Sequence, residues 1–232
     1  MPALPKLLAD LVEPRFARAC RIAHIERLAQ RLHRVRFEGP ELRDLSFRPG
    51  QEVEIRVDAT SFRHYTPARY ERGGAIEVLF YLHGFAPGTT WVRGLEVGAA
   101  ARLLGPGGRF ALADARTHVL LGDETCLGLF AALAAAAPIT QHVRGAIEVD
   151  PACEDWPRRA GVALDAVTRY VRGASLGSWL ERASLDPASD TAIYLAGHAA
   201  TIRRLRDQLR TAGWRGGAIR TRPYWADGKR GL

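Results

Sequence analysis

Arg63-His64-Tyr65-Thr66-Pro67 places three binding chemistries side by side. On a strand, Arg63 and Tyr65 share one face and His64 and Thr66 the other. The arginine can grip a phosphate through two parallel hydrogen bonds. The tyrosine ring offers a flat surface to another ring, and the threonine hydroxyl can meet a ring nitrogen. A flavin dinucleotide needs all three, although R-x-Y-T alone is a short pattern that a plain barrel strand explains better. A second group follows at Leu82-His83-Gly84 and Pro87-Gly88-Thr89-Thr90-Trp91. There a glycine-containing turn can expose backbone amides to a pyrophosphate, with Thr89 adding a donor. His83 by itself is more often a structural hydrogen-bonding residue, and Phe85 and Trp91 can be core anchors.

Two further groups end apolar strands. Leu120-Leu121-Gly122-Asp123-Glu124-Thr125 runs from a strand into a helix start, a place that favours phosphate. Asp123 and Glu124 oppose an anion, so they suit a helix cap, a ribose or a nicotinamide. Tyr194-Leu195-Ala196-Gly197-His198 is a second strand end. In an open α/β sheet ligands sit at such carboxyl ends, so two of them bearing glycine imply one crevice. No G-x-G-x-x-G is present, so the common dinucleotide fingerprint gives no support. The tail, Arg222-Pro223-Tyr224-Trp225 and Asp227-Gly228-Lys229-Arg230, sets paired aromatics beside basic groups. It suits stacking on a cofactor or a partner, and a hydrophobic plug explains it nearly as well.

The elements that must position these residues change style partway along the chain. Arg21–Glu26, Leu32–Glu38, Glu52–Val57, Arg63–Tyr70, Ala75–Leu82 and Ala101–Leu104 read as strands separated by Gly/Pro turns, which predicts a small antiparallel barrel. Beyond Asp114–Thr117, strands at His118–Gly122, Gly145–Asp150, Val162–Val167, Ala192–Ala196 and Gly217–Thr221 take over. They alternate with helices at Thr125–Ala137, Leu176–Ala183 and Thr201–Ala212, which predicts a parallel sheet. The expected fold class is therefore two-domain β plus α/β, with a barrel over residues 1–114 and a parallel-sheet domain over residues 115–232.

The 232 residues include 33 Lys+Arg and 25 Asp+Glu, a net charge of +8, and only Lys6 and Lys229 are lysines. Residues 201–232 hold nine basic and two acidic groups, whereas residues 117–200 hold six and ten. Codon bias explains part of the arginine excess; a small anionic partner explains the rest, since no nucleic-acid motif accompanies it. Arg203, Arg204, Arg206 and Arg210 fit a solvated helix face. No apolar run reaches the roughly 20 residues of a membrane span. Residues 1–14 lack a secretory pattern. The three cysteines, Cys20, Cys126 and Cys153, lack metal spacing, so a cytoplasmic protein without membrane insertion is expected.

In their order and spacing, these motifs resemble the siderophore-interacting protein family, the ferric-siderophore reductases of the ferredoxin–NADP reductase-like superfamily. The resemblance runs through R-x-Y-T-P at 63–67, F-Y-L-H-G at 80–84, A-P-G-T-T-W at 86–91 and L-L-G-P-G-G at 103–108. It continues through L-G-D-E-T at 121–125, A-I-E-V at 146–149, Y-L-A-G at 194–197 and P-Y-W at 223–225. It implies an FAD-binding barrel followed by an NAD(P)H domain, with NADPH or NADH as donor and a ferric siderophore as acceptor. Hydride would pass to the flavin and single electrons to Fe(III), with no resident metal. Carried over, Arg63 would bind FAD phosphate, Tyr65 would pack on the isoalloxazine, and Thr66 would meet its N5 region. His83, Gly84 and Thr89 would contact the adenine–pyrophosphate part. Gly122, Asp123, Glu124, Thr125 and Gly197 would border the nicotinamide nucleotide, and Trp225 would cover the flavin. Arg109, Lys229 and Arg230 would form a basic rim for the chelate, and a monomer is expected.

The chain departs from the family pattern at three residues and in the short segment between Val57 and Arg63. Glu54 stands where a lysine often faces the siderophore, His198 where A-G-E has its glutamate, and Ala226 where an arginine often follows Tyr-Trp. A reductase for another acceptor (a quinone, free flavin or electron-transfer protein) and a non-catalytic anion binder therefore stay open beside the main reading.

Overall fold

The computed structural model describes residues 16–84 and 86–229. The chain divides into two compact units, Met1–Ala111 and Leu112–Leu232.

The first unit is antiparallel and barrel-like. Its strands are β1 (Arg18–Ala29), β2 (Leu32–Glu38), β3 (Glu52–Arg56), β4 (Phe62–Tyr65), β5 (Arg69–Glu71), β6 (Ala75–Tyr81) and β7 (Ala100–Gly107). They are ordered β4-β3-β7-β1-β2-β6-β5. Period-two patterning drives this arrangement. In β6, Ile76, Val78 and Phe80 enter the core, while Glu77, Leu79 and Tyr81 are only partly buried. Phe37 of β2, Val53 and Ile55 of β3 and Leu103 of β7 complete that core.

Two local outcomes differ from the sequence expectation. The strand expected over Arg63–Tyr70 breaks into β4 and β5, because Pro67 has no N–H to give a ladder. The turn expected around Gly88 is instead a short helix, α1 (Pro87–Arg93), with its proline in the first turn, where a missing N–H costs nothing.

The second unit is parallel: β8 (Thr117–Asp123), β9 (His142–Val149), β10 (Asp165–Thr168), β11 (Thr191–His198) and β12 (Ile219–Trp225), in the order β10-β9-β8-β11-β12. The chain winds outward from β8 in one direction and then from β11 in the other, so the switch point lies between β8 and β11. Its helices are α2 (Leu127–Ala136), α3 (Trp156–Ala160), α4 (Ala174–Arg182) and α5 (Ala199–Thr211). β8 and β11 are near-continuous apolar runs, as strands covered on both faces require. Leu176 and Trp179 of α4 and Ile202, Leu205 and Leu209 of α5 pack on Val119, Leu121, Ile193 and Leu195.

α3 was not expected; Gly161, in the left-handed conformation, ends it and delays β10 to Asp165. The last strand extends to Trp225, so Pro223-Tyr224-Trp225 belongs to the sheet rather than to a free tail. β12 is an edge, which tolerates Pro223. Among the described residues, no helix is long and apolar enough to cross a membrane.

β8 and β9 approach most closely where Gly145 faces Leu120. A Cβ at Gly145 would overlap the Leu120 carbonyl oxygen, and its φ of +148° is one that side-chain-bearing residues rarely adopt. Gly145→Ala is expected to cost more than about 3 kcal/mol in urea unfolding, or to abolish soluble expression. Gly217→Ala, where a Cβ meets nothing within 4 Å, is expected to be near neutral. Equal stability of the two variants would show that the strands do not pair in this register.

Candidate functional site

In the first unit the candidate residues converge on β4 and α1. Tyr65 lies opposite Val53 and packs on Phe80 with ring centroids 4.6 Å apart. A Cβ on Gly88 would sit 2.6 Å from the Tyr65 hydroxyl and 3.8 Å from Arg63 Cγ, so only glycine allows α1 to approach this strand. Burial pushes the Tyr65 phenol up to about 12, against the opposing pull of Arg63. It therefore stays neutral at physiological pH and presents a ring and a hydroxyl. Arg63 Nη1 donates to the Phe62 carbonyl at 2.8 Å. Its guanidinium has no carboxylate partner among the described residues. Thr66 is buried directly after the strand. Thr89, on α1, donates its hydroxyl to the His83 carbonyl at 3.0 Å and so closes the turn that carries exposed His83 and Gly84. The His83 ring lies 5.3 Å from that of Tyr81.

These residues fit a flavin dinucleotide. An arginine without an acidic partner stands beside a neutral, ring-packed tyrosine, and a glycine keeps the adjoining helix clear. On the outer side of β3 and β4, His64 Nδ1 lies 3.6 Å from Glu52 and 3.7 Å from Glu54. Arg109 follows β7 and is exposed.

In the second unit the candidates meet at the carboxyl ends of β8 and β11. Asp123 is buried and accepts four hydrogen bonds from nitrogen and oxygen donors, beside a long one from Cys126 Sγ. Thr125 gives its backbone N–H, at 3.0 Å, and its hydroxyl to Oδ1. The His198 N–H, at 3.0 Å, and Trp225 Nε1–H, at 2.9 Å, go to Oδ2. Gly197, at φ +98°, makes room for this carboxylate: a Cβ there would lie 2.5 Å from Oδ2. Gly122 is similarly constrained: a Cβ there would lie 2.9 Å from the Ala196 carbonyl oxygen and from Cys126 Sγ. Burial raises the Asp123 carboxyl above its usual range, and its hydrogen bonds oppose that rise.

Glu124 is also internal. Its carboxylate takes Arg169 in a two-pronged pair, at 2.5 and 2.9 Å, and the Asp150 N–H at 2.8 Å. The acidic side chains of L-G-D-E-T therefore frame the sheet end and are not left over for a ligand.

Arg169, Arg172, Asp227 and Glu148 carried no assigned role in the sequence reading. Trp225 is sandwiched between Arg172, 4.7 Å from its ring centre, and the His198 ring at 4.4 Å. Asp227 accepts from Arg172 at 3.0 and 3.2 Å and lies 3.2 Å from His198 Nε2. His198 Nδ1 lies 3.1 Å from the Thr201 hydroxyl. A ring protonated at Nε2 satisfies both partners. Glu148, opposite Asp123 in the β8–β9 register, is 1% exposed and accepts the Gly173 N–H at 2.6 Å. Its Oε1 has no hydrogen-bond partner among the described residues. Arg169, Arg172 and Glu148 pair across long sequence separations that no local motif announces. Lys229 is exposed beyond β12, and Arg230 lies outside the described residues.

Residues 115–228 match the family model described as siderophore-interacting protein, which bears out the resemblance over the second unit. The barrel motifs at 63–67, 80–91 and 103–108 lie outside the matched span. No curated protein matches the chain. Among solved structures, a siderophore utilization protein from T. fusca is similar at TM-score 0.78 and 24% identity, covering 93% of this chain and 95% of that one. The siderophore-interacting protein SipS from Aeromonas hydrophila follows at 0.74 and 22%, covering 91% and 98%. Phthalate dioxygenase reductase is similar at 0.71 and 16%, covering 92% and 70%. These likenesses show the fold: an antiparallel barrel-like sheet followed by a parallel sheet.

The buried carboxylates leave a pH signature. Burial raises the Glu148 carboxyl above its usual value, so the folded chain keeps this proton where the unfolded chain has released it. The resulting stability is complete below the unfolded carboxylate pKa and is lost as pH climbs through the raised folded one. Glu148→Gln removes that loss. Its stability relative to the unmodified chain is expected to improve from about pH 4 to about pH 8 in urea titrations. A difference that does not change with pH would show that Glu148 titrates as it does in the unfolded chain.

Proposed function

We propose that this chain, whose second unit belongs to the siderophore-interacting protein family, is an FAD-dependent NAD(P)H oxidoreductase that reduces ferric siderophores. The observation that carries the reading is the conjunction on β4 and α1: Arg63 without an acidic partner, the packed neutral Tyr65, and Gly88 holding the space beside them. Arg63 would bind the FAD phosphate and Tyr65 would pack against the isoalloxazine. Thr66 would offer its hydroxyl to the ring, and His83, Gly84 and Thr89 would line the pyrophosphate turn. In the second unit, the strand ends around Gly122–Thr125 and Gly197 would receive the nicotinamide nucleotide. Trp225 would provide an aromatic surface for the flavin.

When bound, a flavin takes hydride from a nicotinamide and releases electrons singly, the chemistry a ferric chelate requires. The chain's residues contribute binding and orientation. No acid, base or nucleophile is needed, because Fe(II) is held more weakly than Fe(III) by hard oxygen ligands. The basic side chains of Arg109, Lys229 and Arg230 would each raise the local concentration of an anionic chelate.

A second reading, a flavin reductase serving another acceptor, is favoured by Glu52 and Glu54. They set two carboxylates around His64 where the family resemblance expects a lysine.

The absorbance spectrum tests the proposal. The purified chain should be yellow or take up FAD; NADH or NADPH should bleach it without oxygen, and a ferric siderophore should restore the colour. A colourless chain that cannot be reconstituted would overturn the reading. Arg63→Ala is expected to weaken FAD binding by about tenfold or more, from the loss of a charge-assisted phosphate contact. Replacing Lys229 and Arg230 together with alanine should raise KM for an anionic chelate and spare reduction of a neutral dye. An unchanged KM would remove those two residues from the substrate side.

A further inference from the structure

The second unit holds its arginines and carboxylates very unevenly at the carboxyl ends of β9 and β10. Asp123 and Glu124, at the neighbouring end of β8, and Glu148, near the end of β9, are all buried, at 6%, 3% and 1% exposure. Arg169 is the cation that faces them, and its guanidinium is already taken by Glu124. Asp150 follows β9 directly and accepts the Ala152 N–H at 3.1 Å. Glu154, four residues further on, is exposed and is oriented by the Thr168 hydroxyl at 2.5 Å. Arg172 is engaged by Asp227, and Arg159 by Asp155. Arg158 is exposed at the end of α3 and carries no ion pair among the described residues. Between the pinned residues Arg169 and Arg172, Tyr170 is 86% exposed and Val171 65%. This is a large aromatic surface held open at the same strand ends.

A dinucleotide bound to a doubly wound sheet lies across the strand ends at the switch point. Its adenosine ribose then falls at the end of the second strand of the unit. Here that strand is β9. An acidic group at this place accepts a ribose 2′-hydroxyl, whereas a 2′-phosphate requires a free arginine. The β9 end supplies carboxylates, and Arg169 and Arg172 are already held by Glu124 and Asp227. Discrimination of this kind works by repulsion: the wrong ligand meets unpaired charge of its own sign.

We propose that the end of β9, through Asp150 and Glu154, is the adenosine subsite of this chain and selects a 2′-hydroxyl over a 2′-phosphate, so that its donor is NADH. The exposed Tyr170 ring is the surface for the adenine. This rests on the nicotinamide-dependent reading above and narrows it.

The test is binding rather than turnover. Calorimetry on the full chain loaded with FAD compares AMP with adenosine 2′,5′-bisphosphate, and NAD+ with NADP+. The unphosphorylated ligand of each pair should bind about tenfold more tightly at low salt, and the gap should narrow as salt screens the exposed carboxylates. Glu154→Arg, at an exposed position, should tighten the bisphosphate about tenfold and weaken AMP, so that the preference between the two reverses. Tyr170→Ala should weaken AMP and the bisphosphate alike. Equal or tighter binding of the bisphosphate to the unmodified chain would overturn the inference and leave the reductase reading standing. Loss of that binding in Arg158→Ala would identify the arginine responsible. If neither nucleotide binds while FAD does, the nicotinamide-dependent reading fails and takes this inference with it.

Discussion

The carboxylate of Asp123 sits where three strand ends meet, and the second unit is arranged around it. One oxygen takes both donors of Thr125; the other takes the amide that opens α5 and the indole N–H that ends β12. Leaving any of these donors buried and unmatched would cost on the order of 1–3 kcal/mol. The carboxylate in turn dictates glycine at 197, because a side chain there would occupy its space. A short acidic side chain thus fixes the switch point of the sheet, the start of one helix and the orientation of a tryptophan. Glu124 does the same one layer over, joining β8 to the segments after β9 and β10 through Asp150 and Arg169. The strand ends that would receive a nucleotide are therefore built by acids turned inward.

Much of this fold is legible in sequence because its signals are local. Alternation in β6, the apolar runs of β8 and β11 and the glycine turns each lie within a few residues, and they place barrel before parallel sheet. The break at Pro67 and the helix at Pro87 were hidden by competition between signals. Arg63–Tyr70 has strand character throughout, and a single missing N–H ends the ladder. Gly88, Thr89 and Thr90 favour turns, and burial of Val92 in the barrel core carries the segment into a helix.

The site was legible in a different way. Its motifs marked the right strand ends, but the roles of their side chains depended on distant partners. Trp225 and Asp123 are 102 residues apart, Arg172 and Asp227 are 55 apart, and Arg169 and Glu124 are 45 apart. No periodicity links such positions. Asp123 does cap the turn after β8, as one of its readings had it, by accepting the Thr125 N–H, whereas Glu124 is engaged by Arg169 and the Asp150 N–H. His198 illustrates the same point. In sequence it is a departure from A-G-E; in the fold it bridges Thr201 and Asp227 beneath the Trp225 ring. A histidine–aspartate contact has formed at the β11 end where the resemblance led one to expect a glutamate.

The arginine excess takes on a sharper meaning once each guanidinium is followed to its partner. Arg36 holds Glu38, Glu71 and Glu77 on the barrel wall. Arg169 is committed to Glu124, and Arg172 to Asp227 and Trp225. Arg203, Arg204 and Arg210 line the exposed face of α5, where water solvates them at little cost. A partly buried arginine is different, because it must be desolvated, and an anion offsets that penalty more fully than a backbone carbonyl does. Arg63 is such a residue on β4: half-buried, beside a neutral phenol, and without a carboxylate among the described residues. The net charge of +8 therefore says little about function by itself. What carries information is how few of its contributors are both sheltered from water and unmatched. Arg18, on β1, is also partly buried without a carboxylate among the described residues and is held by the Gly105 and Glu41 carbonyls; Arg63 differs in that its neighbours also supply a ring-packing surface and a glycine-cleared space.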